Sequence, residues 1–299
     1  MSRLRAVAPF AVLAVLWGLS FPAITIGLDA LPPVLFAAFR YDLAAVLLLG
    51  YAVTTDRWRP TTPANLAAVV AGGCFLVAGN AFLFIGQQTV PSGIAAVLQG
   101  LVPIATTLWA LPLLPNERVS AVGAVGILLG FLGVGLVVQP DPANLLAGDT
   151  FGKLLVLAQV ASVALGGVLV QRANPSLDQT AMAGWSMLIG AVILHAVSAG
   201  LAESFTVPSS PTAVGAVVYL GVFATAIAFF LYFTMLERYG AMETSLVAYV
   251  VPLVATVAGI LVLDEPIKPL VLVGFAVVFV GFVLLKRQSL RGLLRERLG

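Results

Sequence analysis

The feature that most constrains this chain is its apolar runs: from residue 8 to residue 286, stretches of about twenty apolar residues alternate with short polar links. A hydrocarbon core roughly 30 Å thick is crossed by about 20 helical residues rising 1.5 Å each, and a helix satisfies its own backbone hydrogen bonds there. Ten runs are predicted as spanning helices, near residues 8–27, 33–53, 64–85, 92–112, 118–138, 151–171, 179–200, 212–236, 242–262 and 267–286. Only 9% of the residues are charged, against about 25% in a soluble domain. The reading is an all-α membrane protein. Arg3 and Arg5 ahead of the first run imitate a signal peptide, but the run is too long and lacks a small-residue cleavage site, so it is read as the first helix.

If ten helices alternate, Arg3, Arg5, Arg57, Arg59, Arg118, Arg172, Arg238, Lys286, Arg287, Arg291, Arg295 and Arg297 fall on one side, and Lys153 and Lys268 on the other. Positive charge stays in the cytoplasm, which predicts a multi-pass plasma-membrane protein with both termini cytoplasmic. The tail "KRQSLRGLLRERL" reads as a solvated stop-transfer segment in preference to an amphipathic helix on the cytoplasmic leaflet. A net charge of +2 gives no reason to expect a nucleic-acid partner; the bilayer is the expected environment.

The chain also repeats itself. "LLPNERVSAVGAVGILLGFLGVG" and "VLDEPIKPLVLVGFAVVFVGF" each place a glutamate nine residues before one glycine and sixteen before another: Glu117, Gly126 and Gly133, then Glu265, Gly274 and Gly281. Upstream, "VPSGIAAVLQGLVP" and "YGAMETSLVAYVVP" end on Pro103 and Pro252. Two five-helix repeats are predicted, residues 1–146 and 147–299, and because five is odd the second enters the membrane from the opposite side. The glycines let helix backbones approach closely. The glutamates, near helix starts, are read as structural carboxylates that meet the free amides of a first turn.

These residues, with "LWGLSFP" at 16–22 and "FAAFRYDLAA" at 36–45, resemble the EamA-type branch of the drug/metabolite transporter superfamily over essentially the whole chain. The resemblance implies a secondary transporter, often an exporter of amino acids or other small metabolites, with alternating access around a central cavity. The second half lacks a clear counterpart of Trp17 and Gly18, so the two halves are expected to contribute unequally.

Prolines inside spanning helices mark where the chemistry would sit, because each frees a carbonyl that must face protein or a cavity. Pro22, Pro103 and Pro252 are the predicted helix breaks. Around them Trp17, Ser20, Asn80, Gln87, Gln99, Gln159, Tyr232 and Tyr249 are the candidate substrate-binding residues, Gln99 and Tyr249 foremost because they adjoin the breaks. Arg40 lies roughly 10 to 14 Å into the second helix; it either holds an anionic substrate group or partners carbonyls or another helix, the structural role being preferred. Asp42 should point to a different face. His195 is read as interfacial.

The expected substrate is a small neutral or zwitterionic metabolite; a coupling proton and the oligomeric state stay open. A nucleotide-sugar or phosphorylated-metabolite antiporter is the alternative, which one deep cation serves poorly. A membrane-embedded enzyme is disfavoured, since one histidine, one cysteine and almost no acidic residues within the helices do not make a metal site. No metal, cofactor or catalytic residue is expected.

Overall fold

The structure is a computed structural model that describes residues 3–115, 117–139, 148–245, 247–266, 268–285 and 287. The basic tail beyond residue 287 lies outside them, as do Asn116, Lys286 and the side chains of Arg3, Arg5, Glu243 and Tyr249. Every regular element among the described residues is helical. Among the described residues eight helices are long and apolar enough to cross a membrane, and two shorter apolar helices, Val250–Leu263 and Pro269–Leu285, occupy the last two predicted runs.

In chain order the helices are α1 (Arg3–Gly18), α2 (Ser20–Leu28), α3 (Pro33–Ala52), α4 (Pro63–Ala71), α5 (Asn80–Gly86), α6 (Ser92–Gln99), α7 (Val102–Leu113), α8 (Ala121–Val138), α9 (Gly148–Ala173), α10 (Gln179–Gly200), α11 (Pro211–Val218), α12 (Ala228–Ser245), α13 (Val247–Leu263) and α14 (Pro269–Leu285). Two π-helical segments, π1 (Gly72–Val77) and π2 (Tyr219–Ile227), join α4 to α5 and α11 to α12. Proline opens α3, α4, α11 and α14, where a missing N–H costs nothing. Side chains cap several starts: Thr62 accepts from Asn65 N, Ser120 from Gly123 N, Ser210 from Ala213 N, and Asp178 from the amides of Thr180 and Ala181.

Helices at equivalent places in the two halves pack on each other. The fifth and tenth predicted runs, α8 and α14, form the most extensive pair, and the second and seventh, α3 and α10, the next. Gly126 lies against Gly281 and Gly133 against Gly274, so α8 and α14 run antiparallel with glycines at the crossing. Asp42 meets His195, and Leu49 meets Gly184, so α3 and α10 are antiparallel too. Two further contacts exchange in pairs: α1 packs on α13 as α9 packs on α7, and α10 packs on π1 as α3 packs on π2. A two-repeat architecture with opposed halves fits this pattern.

Charged side chains near helix ends serve helices other than their own. Glu203 accepts from the amides of Val34 and Leu35 at the start of α3, 3.1 and 2.9 Å away. Glu265 does the same at the start of α6, accepting from Ser92 N at 2.8 Å, Ser92 Oγ at 2.8 Å and Gly93 N at 3.3 Å. Lys153 is buried and donates to Val138 O at the end of α8 and to Asp149. Each charge faces the favourable end of a helix dipole. Glu265 thus meets a first turn, as the sequence suggests, but that of a helix more than 170 residues earlier in the chain. Glu117 is exposed.

Candidate functional site

Helix interruptions and polar side chains coincide in the interior. The first span breaks at Leu19 and the fourth at Gly100–Leu101, each shortly before the proline that cannot donate back, Pro22 or Pro103. The third span breaks where π1 gives way to the turn at Ala78–Gly79, a site with no proline. At Pro252 the expected break is absent: α13 runs through it. A proline removes one hydrogen bond and bends a helix without having to end it, and Pro252 lines an apolar groove with Val97, Thr256 and Phe275 between α6, α13 and α14.

Three of the candidate substrate-binding residues form one polar chain beside two of these breaks. Gln99, the last residue of α6, donates its Nε2 to Gln159 Oε1 on α9; Gln159 donates to Asn80 Oδ1 at 3.4 Å; Asn80, the first residue of α5, donates to Leu76 O at 2.7 Å. Gln159 is 3% exposed and Asn80 also buried, whereas Gln99 is half-buried and its Oε1 takes no hydrogen bond among the described residues. The carbonyls served are those loosened by the π1 segment, since Ser162 on α9 also donates to Phe75 O at 2.9 Å. Gly79 lets α9 approach there, because a Cβ would lie 2.9 Å from Ser162 Cβ.

The other candidates divide between packing and an aromatic wall. Ser20 is buried and donates to Trp17 O at 2.6 Å, closing the break in its own span. Gln87 donates to Phe21 O at 3.0 Å and Thr25 Oγ1 at 3.3 Å, tying the third span to the first, and its buried Oε1 has no partner among the described residues. Trp17 and Tyr232, both half-buried, lie 5.6 Å apart between ring centroids, with Phe229 5.9 Å from Trp17 and Phe233 5.5 Å from Tyr232. Tyr219 donates to Leu16 O at 2.9 Å. The side chain of Tyr249 lies outside the described residues.

Arg40 is buried on α3, its Nε donating to Thr225 Oγ1 of π2 at 2.9 Å. Asp42 faces elsewhere and contacts His195 Nε2 at 2.8 Å, so the histidine read as interfacial is half of a polar pair. Phe229, Thr225 and both π segments escaped the sequence reading. An i→i+5 turn has no residue signature, and the paired Gly72 and Gly73 mark only the close approach of α10 that accompanies it, since Cβ atoms there would meet Ser186 and Ile189.

The sequence profile of the EamA-like transporter family matches this chain twice, over residues 5–139 and 150–287. The chain belongs to the EamA-like transporter family. It is 30% identical to the uncharacterized inner membrane transporter YedA of Escherichia coli K12, over 83% of this chain and 79% of that one. An uncharacterized transporter of Archaeoglobus fulgidus is 27% identical over 91% of this chain and 95% of its own. A probable amino-acid metabolite efflux pump of Escherichia coli K12 is 29% identical over 94% of both chains. One crystal structure shares the fold with a TM-score of 0.66 at 20% identity, covering 97% of this chain and 99% of the other. This EamA-family chain is a multi-pass membrane protein of transporter type, in which the two profile matches correspond to the two sets of helices that exchange in the packing.

Proposed function

We propose that the protein is a secondary transporter that exports small neutral or zwitterionic metabolites such as amino acids, by alternating access between halves 1–146 and 147–299. The observation that carries the reading is the polar chain Gln99–Gln159–Asn80 beside the breaks in the third and fourth spans. Uncharged amides at interrupted helices suit a polar ligand without net charge, and half-helix ends supply further donors and acceptors. Trp17 and Tyr232 offer an apolar wall for a side chain. The likeness to an amino-acid metabolite efflux pump supports the same substrate class.

Uptake and efflux by purified protein in liposomes, with a panel of amino acids, nucleobases and aromatic compounds and with or without a pH gradient, tests the reading and its direction. For a transported amino acid, Gln99→Ala should weaken apparent affinity several-fold at normal yield, the loss of about 1 kcal/mol or somewhat more from one orienting hydrogen bond. Gln159→Ala strands two partners and should lower both affinity and melting temperature. Unchanged transport in Gln99→Ala would remove this chain from the site.

The same proposal places ten spans in the plasma membrane with both termini cytoplasmic. In a Cys74→Ser background, cysteines at Arg118 and Asp264, both exposed, should then react with an impermeant maleimide from opposite sides. Labelling of both from one side would refute the inverted arrangement.

A further inference from the structure

Arg40 stands seven residues into α3, about 10 Å along the helix, and is 8% exposed. Arginine does not shed its charge, so a buried one is ordinarily held by a carboxylate or by several carbonyls. Among the described residues neither is present. Nε donates to Thr225 Oγ1 at 2.9 Å, and the guanidinium carbon lies 4.8 Å from the ring centroid of Tyr41 and 6.0 Å from that of Phe84. Among the described residues Nη1 and Nη2 donate to no protein atom, and neither is sealed in by protein. Asp42, the acid nearest in sequence, is turned to His195. Ring faces offset part of the cost of a buried cation, but they accept nothing in the plane of the fork.

The arrangement around this cation is built rather than incidental. Thr225 is 0% exposed and sits in π2, and π segments recur at functional sites. Gly221 brings π2 against α3, since a Cβ there would fall 3.0 Å from Arg40 O and 2.9 Å from Leu43 Cβ. With Nε engaged, the guanidinium is fixed in orientation and presents its end-on edge, two parallel N–H donors spaced for the two oxygens of a carboxylate. A doubly charged phosphate would call for a second cation, and Lys153, the other buried cation among the described residues, is committed to Asp149 and Val138 O.

We propose that Arg40 is the anion subsite of the transport site and takes the substrate's carboxylate through Nη1 and Nη2. The proposal rests on the small-metabolite reading above and narrows it to substrates bearing a carboxylate. It adds a ligand role to the structural one that the sequence favours: Nε already partners Thr225 of π2, while the two terminal nitrogens have no protein partner among the described residues.

The test is binding to purified protein in nanodiscs at constant ionic strength, read by thermal shift and titration. The probes are the twenty L-amino acids, their C-terminal amides, and acetate, lactate and benzoate. Amino acids that bind should do so about tenfold or more tightly than the matching amides. Arg40→Gln should erase that preference by weakening acids far more than amides, Arg40→Lys should keep part of it because the charge stays while the fork is lost, and Thr225→Val should weaken acids several-fold. Equal binding of acids and amides to the unmodified protein overturns the proposal without recourse to any variant, as does an Arg40→Gln protein that loses both alike. If simple carboxylates bind through Arg40 and no amino acid does, the subsite stands and the amino-acid reading fails. If no carboxylate binds or stabilises the protein, the subsite is refuted.

Discussion

Replacing Gly281 or Gly133 with valine should abolish folded protein, while Gly135→Ala in the same pair of helices should be neutral or stabilising. A Cβ on Gly281 falls 2.5 Å from Gly126 O and 2.9 Å from Gly130 N; one on Gly133 falls 2.7 Å from Gly274 O and 2.8 Å from Val278 N. These neighbours are backbone atoms, which cannot rotate away, so the antiparallel helices α8 and α14 must separate along their whole crossing. Alanine at either position already overpacks the contact, by about 1–3 kcal/mol, and the γ-carbons of valine add to it. In lipid the loss is harder to recover, because packing rather than water exclusion holds these helices together. A Cβ on Gly135 meets nothing within 4 Å, and alanine there gains about 1 kcal/mol of helix propensity. Yield and monodispersity in gel filtration, followed by thermal unfolding, check all three variants. A Gly281→Val protein as stable as the parent would show that this crossing is not tight.

How much of this was legible beforehand depended on whether the cause was local. Apolar length is local, and each predicted run contains a helix. Pro22 and Pro103 announced two breaks because the lost N–H belongs to the residue itself. Pro252 misled for the same reason: the rule reports a missing donor, which need not end a helix, and α13 continues through it. The break at Ala78–Gly79 had no sequence mark: two carbonyls of π1 take side-chain donors, Ser162 from another span and Asn80 from the next turn, and the first of these is a tertiary contact. Glu265 was recognised as a carboxylate for a first turn, but the identity of that turn is a tertiary fact, and Glu203, which serves α3 in the same way, gave no motif at all. The sequence could nominate Gln99, Gln159 and Asn80 individually as polar groups among apolar ones. It could not order them into one chain, because residues 80, 99 and 159 meet only through the packing of three spans.

Glu265→Ala should lower stability by about 2–3 kcal/mol and leave transport per folded molecule unchanged. The carboxylate takes three hydrogen bonds at the positive end of α6, two from backbone amides that have no intrahelical partner and one from Ser92 Oγ. A helix cap is worth about 1 kcal/mol and charge-assisted bonds about 1.5–3 kcal/mol, and partial exposure of Glu265 keeps the total toward the middle of that range. Glu265→Gln keeps one acceptor oxygen and loses the charge, so roughly half the effect should remain. Ser92→Ala removes a single bond and should cost about 1 kcal/mol, less when Glu265 is already alanine, which a double-mutant cycle in thermal unfolding measures directly. The rival role for an acid near a helix end in a transporter is ion coupling, and it predicts the reverse pattern. A coupling carboxylate tolerates removal in the fold but not in the transport cycle, so Glu265→Gln would retain the parental melting temperature and lose gradient-driven uptake. The cap joins α6 to the link between α13 and α14, so its loss should first be felt at the start of α6. Faster hydrogen exchange at Ser92 and Gly93 in Glu265→Ala, with α3 protected as before by Glu203, is the local signature that a capping role requires and a coupling role does not.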